Sequence, residues 1–280
     1  MSLDLNSNHL FNYYLHMSES ISILHNMARS GGTLISRCIG CMQGVALLSE
    51  VHPFTTSGQF NPLQQANDWL DVDVQSELDA ISRSKGISWI EAIELIHRCI
   101  KAQGRRLVVR DWSHLDFTGV PWVDPRYKMT TAELLGQHFE IHQAFTVRHP
   151  IDQWISLSKL QIISGKLDVS KFMLGYRAFA EIAADTDFIR YEDFTKEPES
   201  RIKQLSSNLA IEYDDLFMLK WSSFDKITGD LPQLGAGRAT QKTQITPLDP
   251  KTPSPDLLLE FDKCVDFEPS LEILGYSNDH

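Results

Sequence analysis

Ser22-Ile23-Leu24-His25-Asn26-Met27-Ala28-Arg29-Ser30-Gly31-Gly32-Thr33-Leu34-Ile35 reads as a short apolar strand, a glycine turn and the start of a helix. That combination builds a cradle for a phosphate. Adjacent glycines let the backbone adopt conformations closed to other residues and bring its N–H groups close to an anion. A helix that begins there adds its N-terminal amides and the positive end of its dipole. Arg29 supplies a permanent cation able to fork onto phosphate oxygens, and the hydroxyls of Ser30 and Thr33 are further donors. Taken alone, the segment also fits an ordinary strand-turn-helix junction with Arg29 facing water.

A second strand-to-helix junction strengthens the first reading. Glu140-Ile141-His142-Gln143-Ala144-Phe145-Thr146-Val147 runs into Arg148-His149-Pro150-Ile151-Asp152-Gln153-Trp154-Ile155-Ser156. Pro150 suits the first helical position and Asp152 the first turn. Ser156 then lies one turn beyond Asp152 on the same face, so that Arg148 at the strand end and Ser156 on the helix converge on one ligand group. The competing reading is an Arg148–Asp152 ion pair with a helical serine facing water.

Together these segments resemble the sulfotransferases that use 3′-phosphoadenosine 5′-phosphosulfate (PAPS) as donor. Ala28 to Leu34 is similar to that family's 5′-phosphosulfate loop in its Arg-Ser-Gly-Thr-Thr form, with Gly32 where the family usually has threonine. Arg148, Asp152 and Ser156 match its 3′-phosphate motif, and Phe188-Ile189-Arg190-Tyr191-Glu192-Asp193-Phe194 resembles its strand ending in Tyr-Glu-Asp beside the nucleotide. The resemblance spans residues 20 to 194 in family order. It implies an α/β, P-loop nucleotide-kinase-like fold, PAPS as donor and 3′-phosphoadenosine 5′-phosphate (PAP) as product, with no metal. It implies Arg29, Ser30, Gly31, Gly32 and Thr33 at the 5′ end, Arg148 and Ser156 at the 3′-phosphate, and Tyr191 beside the nucleotide. The tyrosylprotein branch carries a catalytic glutamate after its second strand, which implies Glu50, 21 residues beyond Arg29, as the base. The cytosolic small-molecule branch uses a histidine after its third core strand, which makes His114 the alternative; His52 is a third candidate.

Composition and periodicity set the frame. The chain has 280 residues, 42% of them apolar, enough for one sizeable core, and residues 1–280 are expected to form a single domain. A formal charge of −11 argues against a generic nucleic-acid binder and leaves Arg29, Arg148, Arg238 and Lys242 as local cations in an acidic whole. No run of about 18 apolar residues is present, and the N-terminal residues Met1 to Asn6 have neither a basic region nor an apolar stretch, so a cytoplasmic chain without membrane span or signal peptide is expected. Four scattered cysteines exclude a disulfide framework, and Cys38 and Cys41, at i and i+3 of a helix without a second pair, read as packing. Alternating apolar segments predict a parallel sheet of about five strands, at 21–26, 45–49, 106–111, 141–148 and 186–191. Helices are predicted at 32–43, 88–103, 130–138, 150–164, 169–184, 196–209 and 255–264. Residues 55–100 read as an insertion that caps the site. Residues 228–255, rich in Gly, Pro and Thr, read as a long functional loop, and the resemblance to sulfotransferases implies that it closes over the nucleotide with Arg238 and Lys242 reaching the 3′-phosphate.

Sulfuryl transfer needs cationic stabilisation of the leaving group, a proton acceptor and an aligned geometry. Arg29 suits the first task and Glu50, at the carboxyl end of a strand, the second. A small-molecule acceptor with a hydroxyl or amine is expected, with Phe54, Phe60, Trp69 and Trp112 as candidate wall residues. Two other function classes compete. A P-loop kinase would require G-x-x-x-x-G-K-[ST], and no lysine stands in the loop. A non-catalytic PAPS-binding protein would keep the nucleotide site without turnover. Oligomeric state is not encoded in any of these patterns.

Overall fold

In the computed structural model, residues 19–55, 57–74, 86–229 and 244–277 are described. Five strands, β1 (Ser20–Asn26), β2 (Val45–Val51), β3 (Arg106–Asp111), β4 (Glu140–Val147) and β5 (Phe188–Arg190), form one sheet in the order β2-β3-β1-β4-β5. Every pairing is parallel. The five strands fall where the apolar runs predict them, and the reason is visible in the burial. Leu24, Leu47, Val108 and Ala144 face one helical layer, while Ile23, Leu48 and Val109 face the other. A parallel sheet covered on both faces has no polar side, so its strands read as nearly continuous hydrophobic runs.

On the first face lie α1 (Gly32–Gly40) and, later in the chain, α9 (Pro198–Asn208). On the second face are α2 (Pro62–Trp69) and α3 (Trp89–Ala102), which contribute Ala66, Ile93, Ile96 and Ile100 to the core. The stretch 55–100, expected as a cap, therefore divides: α3 covers the sheet, and Gln59 and Phe60 reach the cavity described below. Asn61 starts α2 by accepting hydrogen bonds from the backbone of Leu63 and Gln64, and Ser88 starts α3 with a reciprocal capping box to Glu91.

Around β4, α4 (His114–Thr118), α5 (Thr130–Leu135), α6 (Pro150–Leu157) and α7 (Val169–Asp185) complete the frame, with α8 (Tyr191–Lys196) following β5 directly. Two further short helices, α11 (Pro255–Asp262) and α12 (Phe267–Leu274), pack on α7, the first after α10 (Phe217–Lys220). Gly175 brings α7 so close to α4 that a Cβ there would stand 1.9 Å from the Phe117 carbonyl oxygen. The predicted helix at 150–164 stops at Leu157 and resumes as a single 3₁₀ turn at Gln161–Ile163. Helices α2, α4, α8, α10 and α12 are absent from the sequence reading. Cys38 is buried in the core and the Cys41 thiol points to backbone carbonyls, in keeping with packing.

The chain leaves β1 toward β2, then crosses back through β3 to β4 on the opposite side of β1. Adjacent strand ends whose connections diverge open a crevice, here between β1 and β4. Their register pairs Asn26 with Thr146, so the segments beginning at Met27 and Arg148 emerge side by side.

Candidate active site

The turn after β1 is shaped by its neighbours as much as by its own sequence. Gly31 precedes α1 at φ 90°, and Arg29 also takes the left-handed region at φ 67°. A Cβ on Gly31 would stand 2.1 Å from the Tyr191 ring, and one on Gly32 would stand 2.1 Å from Asn26 Oδ1. Threonine at position 32 would require the Asn26 side chain to move, which gives the departure from the resembled loop a physical reason. At the start of α1 the Leu34 amide donates to the Gly31 carbonyl at 3.0 Å, and the preceding amides of Gly32 and Thr33 have no partner within the helix. Ser30 departs from its expected role: it is buried, and its Oγ donates to the Met27 carbonyl at 2.8 Å, which closes the turn instead of facing the cavity.

Arg29 and Ser156 come together across the crevice, with Arg29 Nε donating to Ser156 Oγ at 3.0 Å. Arg148 lies beside them, 6% exposed, 3.7 Å from Asp152 and 5.0 Å from the centre of the Tyr191 ring. Its Nε is buried with no hydrogen-bond partner among the described residues. Tyr191 therefore touches both halves of the site, at Gly31 and at Arg148. The rest of the Tyr-Glu-Asp motif is structural: Glu192 accepts from the His149 amide and the Tyr276 hydroxyl, and Asp193 pairs with Arg190.

Lys251 joins this cluster without any signal in the sequence. Its amide donates to Asp152 Oδ1 and its Nζ to the Asp152 carbonyl, both at 2.8 Å. Burial pushes the Lys251 ammonium down to about 8, the Arg148 guanidinium adds to the fall, and Lys159 and Arg29 reinforce it against the opposing pull of Asp152. Such mutual repulsion is relieved by an anion. Arg238 and Lys242, the two cations expected to close over the site, lie outside the described residues.

Glu50 stands at the far side, at the irregularity where the β2–β3 register shifts between Ser49 and Val51, with φ 53°. Its Oε1 lies 3.1 Å from Arg110, and its Oε2 accepts from Thr228 Oγ1 at 2.7 Å. Arg110 is buried, donates to Ser49 Oγ at 3.2 Å and comes within 3.5 Å of Thr33 Oγ1. This guanidinium links the carboxylate to the β1 loop. His114 also borders the cavity, but it is buried and the loss of hydration pushes its imidazole down to about 4. His52 is overturned as a candidate base: it is wholly buried, 3.3 Å from Asp116, and does not line the cavity. Asp111 orients its neighbours, accepting from Ser113 and Thr131 and bonding His25 Nδ1 at 3.0 Å; these bonds hold its carboxyl below the usual range although burial opposes them.

A cavity of about 730 Å³ is lined by Arg29, Gly31, Gly32, Thr33, Arg148 and Ser156, which the Arg29–Ser156 bond draws together as its anion end. Glu50 and Arg110 line it too, Arg110 reaching Thr33 of the anion end, as do the aromatic side chains of Phe60, Trp112 and Trp122. No protein-family model matches the sequence, and no curated protein is significantly similar to it. Solved structures are similar in fold. The sulfotransferase domain of the Synechococcus PCC 7002 olefin synthase superposes with a TM-score of 0.62 at 15% identity, covering 93% of this chain and 96% of that one. The sulfotransferase domain of the curacin biosynthetic pathway superposes with a TM-score of 0.57 at 16% identity, covering 93% and 99%. The chain has the sulfotransferase fold.

Within that sulfotransferase fold, the expected residues Arg29, Gly31, Gly32, Thr33, Arg148, Ser156, Tyr191, Glu50 and His114 all border one cavity. Arg110, Lys251 and Trp122 are additions that only the tertiary structure supplies. Among the described residues no helix is long and apolar enough to cross a membrane.

Proposed function

We propose that this chain transfers a sulfuryl group from PAPS to a hydroxyl or amine of a small-molecule acceptor. The observation that carries the reading is the pairing of two anion sites through Arg29, Ser156 and Tyr191. The residues fit a nucleotide phosphorylated at both its 3′ and 5′ positions. Gly31 and Gly32 form a cradle that a Cβ would fill, and Arg148 keeps a buried Nε without a partner. Arg29, Thr33 and the backbone of Gly31 and Gly32 would hold the 5′ end, and Arg148, Ser156 and Lys251 the 3′-phosphate.

When bound, the donor supplies the sulfuryl group, which passes to the acceptor oxygen or nitrogen as the bond from sulfur to the 5′-phosphate oxygen breaks and its electron pair stays with the phosphate. Arg29 opposes the charge left there. Glu50 takes the acceptor's proton, oriented by Arg110 and Thr228 on its two oxygens. A glutamate in this role favours the tyrosylprotein-type branch. His114 is buried with its imidazole pushed down to about 4, well below the near-neutral value that makes histidine a general base.

Calorimetry of PAP binding without magnesium, set against ATP with magnesium, tests the reading. Wild type is expected to prefer PAP, and Arg148→Ala to weaken PAP by about 10- to 100-fold, the range for lost hydrogen bonds to a charged group. Preference for magnesium-ATP, or no PAP binding, overturns it.

A further inference from the structure

Phe60, Trp112 and Trp122 form an aromatic cluster that serves no core. Phe60 stacks on Trp112 with ring centres 4.4 Å apart, and Trp122 meets Trp112 edge-on at 5.2 Å. None of the three belongs to the clusters packed about the sheet. Trp122 is 55% exposed, although a tryptophan gains more from burial than almost any other side chain. All three nevertheless line the cavity that holds Glu50.

Their attachment to the Glu50 end is direct. The Gln65 side-chain amide donates to the Ser49 carbonyl at 2.8 Å and to the Gln59 carbonyl at 2.6 Å, and its oxygen accepts from the Ser49 amide at 2.7 Å. The turn that carries Phe60 is thereby pinned to the residue before Glu50. Trp112 follows the Glu50 partner Arg110 by two residues, and its amide bonds the Val51 carbonyl at 3.3 Å. Leu160 and Ile162 line the same cavity and add aliphatic surface. The charged side chains among the described lining residues are the Glu50–Arg110 pair and the cations Arg29, Arg148 and Lys159 of the anion end. Among the described residues no other charged side chain lines the cavity, and its side-chain amides, Gln59, Gln161 and Gln244, are few against the many hydroxyls of a sugar.

Resting on the sulfuryl-transfer reading, we infer that the acceptor is an uncharged compound with an apolar body, seated on Phe60, Trp112 and Trp122, and with its reacting hydroxyl or amine at one end beside Glu50. Burial of such a body against the rings supplies the binding energy, and the polar end is the part left to reach the carboxylate. Trp122 sets acceptor affinity without touching the nucleotide residues.

Calorimetric titrations with 2-naphthol, 1-octanol and N-acetylglucosamine, each with and without saturating PAP, test this without requiring turnover. At least one apolar ligand is expected to bind 10-fold or more tightly than the sugar. Trp122→Ala, an exposed position whose replacement spares the core, is expected to weaken that ligand by about 10-fold, an aromatic contact plus lost area, and to leave PAP affinity unchanged. Tighter binding of the sugar, no binding of either apolar ligand, or an unaltered affinity in Trp122→Ala overturns the inference. Binding of 2-naphthol without any binding of PAP would overturn the sulfuryl-transfer reading and leave the apolar site standing.

Discussion

On the proposed reading, Lys251 makes nucleotide binding a proton-linked event whose sign and size follow from the structure. The ordinary lysine value of 10.5 is pushed down to about 8, first by burial and then by Arg148, with Lys159 and Arg29 adding to it and Asp152 opposing. A phosphate placed among these cations favours the charged amine, so binding raises the Lys251 pKa and takes up a proton. Affinity is therefore greatest below about pH 8 and falls as pH rises through that value. Between pH 7 and 9 the charged fraction of the free protein drops from about nine-tenths to about one-tenth, which for a fully restored amine means a Kd about 10-fold higher, or about 1.4 kcal/mol. Lys251 is half-buried, so water screens part of the effect and 10-fold is its ceiling. The second ionisation of a phosphate, near 6, lies below this window. Calorimetry of PAP at pH 7, 8 and 9, in two buffers of different ionisation enthalpy, reads both Kd and proton uptake. A Kd that is flat across the range, or an identical pH dependence in Lys251→Met, refutes the reasoning.

Three further perturbations separate the parts of the site. Glu50→Gln is expected to lower kcat by about 10²- to 10⁴-fold with PAP affinity retained, while His114→Asn has a much smaller effect; steady-state kinetics showing the reverse would exchange the two roles. Gly31→Ala combines a left-handed backbone with a collision against Tyr191 and should lose both PAP affinity and about 1–3 kcal/mol of stability, whereas Gly44→Ala, at φ 78° in open space, should keep its nucleotide affinity. Gly175→Ala drives a Cβ into a backbone carbonyl that cannot rotate away, so thermal melting should show a loss of at least about 1–3 kcal/mol; a melting point equal to wild type would refute the close α4–α7 packing.

The sheet was legible because burial on both faces writes itself into consecutive residues, as in Ile21 to Leu24 and Leu107 to Val109. The anion end was legible because its residues cluster in two short segments whose strands pair. Short helices were not: Tyr191–Lys196 spans fewer than two turns, too few for a helical period to emerge. Arg110 and Asp111 show a different limit. Neighbours on a strand point to opposite faces, so Arg110 meets Glu50 while Asp111 meets His25, and the sequence alone leaves both free to pair with each other. Lys251 and Trp122 sit in stretches without periodicity, and only the path of the chain brings Lys251 to Asp152 and Trp122 to the cavity. Ser30 shows that a hydroxyl in a binding loop can be consumed by the turn itself.

On the proposed reading, the contacts among Arg29, Ser156 and Tyr191 join two anion sites into one bivalent receptor of fixed reach. Once one phosphate is seated, the other meets its site at an effective concentration on the order of millimolar or above, and the two ends reinforce each other without any new contact. A nucleotide lacking either terminal group falls back on a single weak grip. A longer chain of phosphates at the 5′ end does not compensate, because it adds no group at the 3′ position that Arg148 would hold. On the proposed reading, discrimination among adenine nucleotides then resides in a distance, set by one tyrosine ring and one hydrogen bond, and requires no recognition of the base.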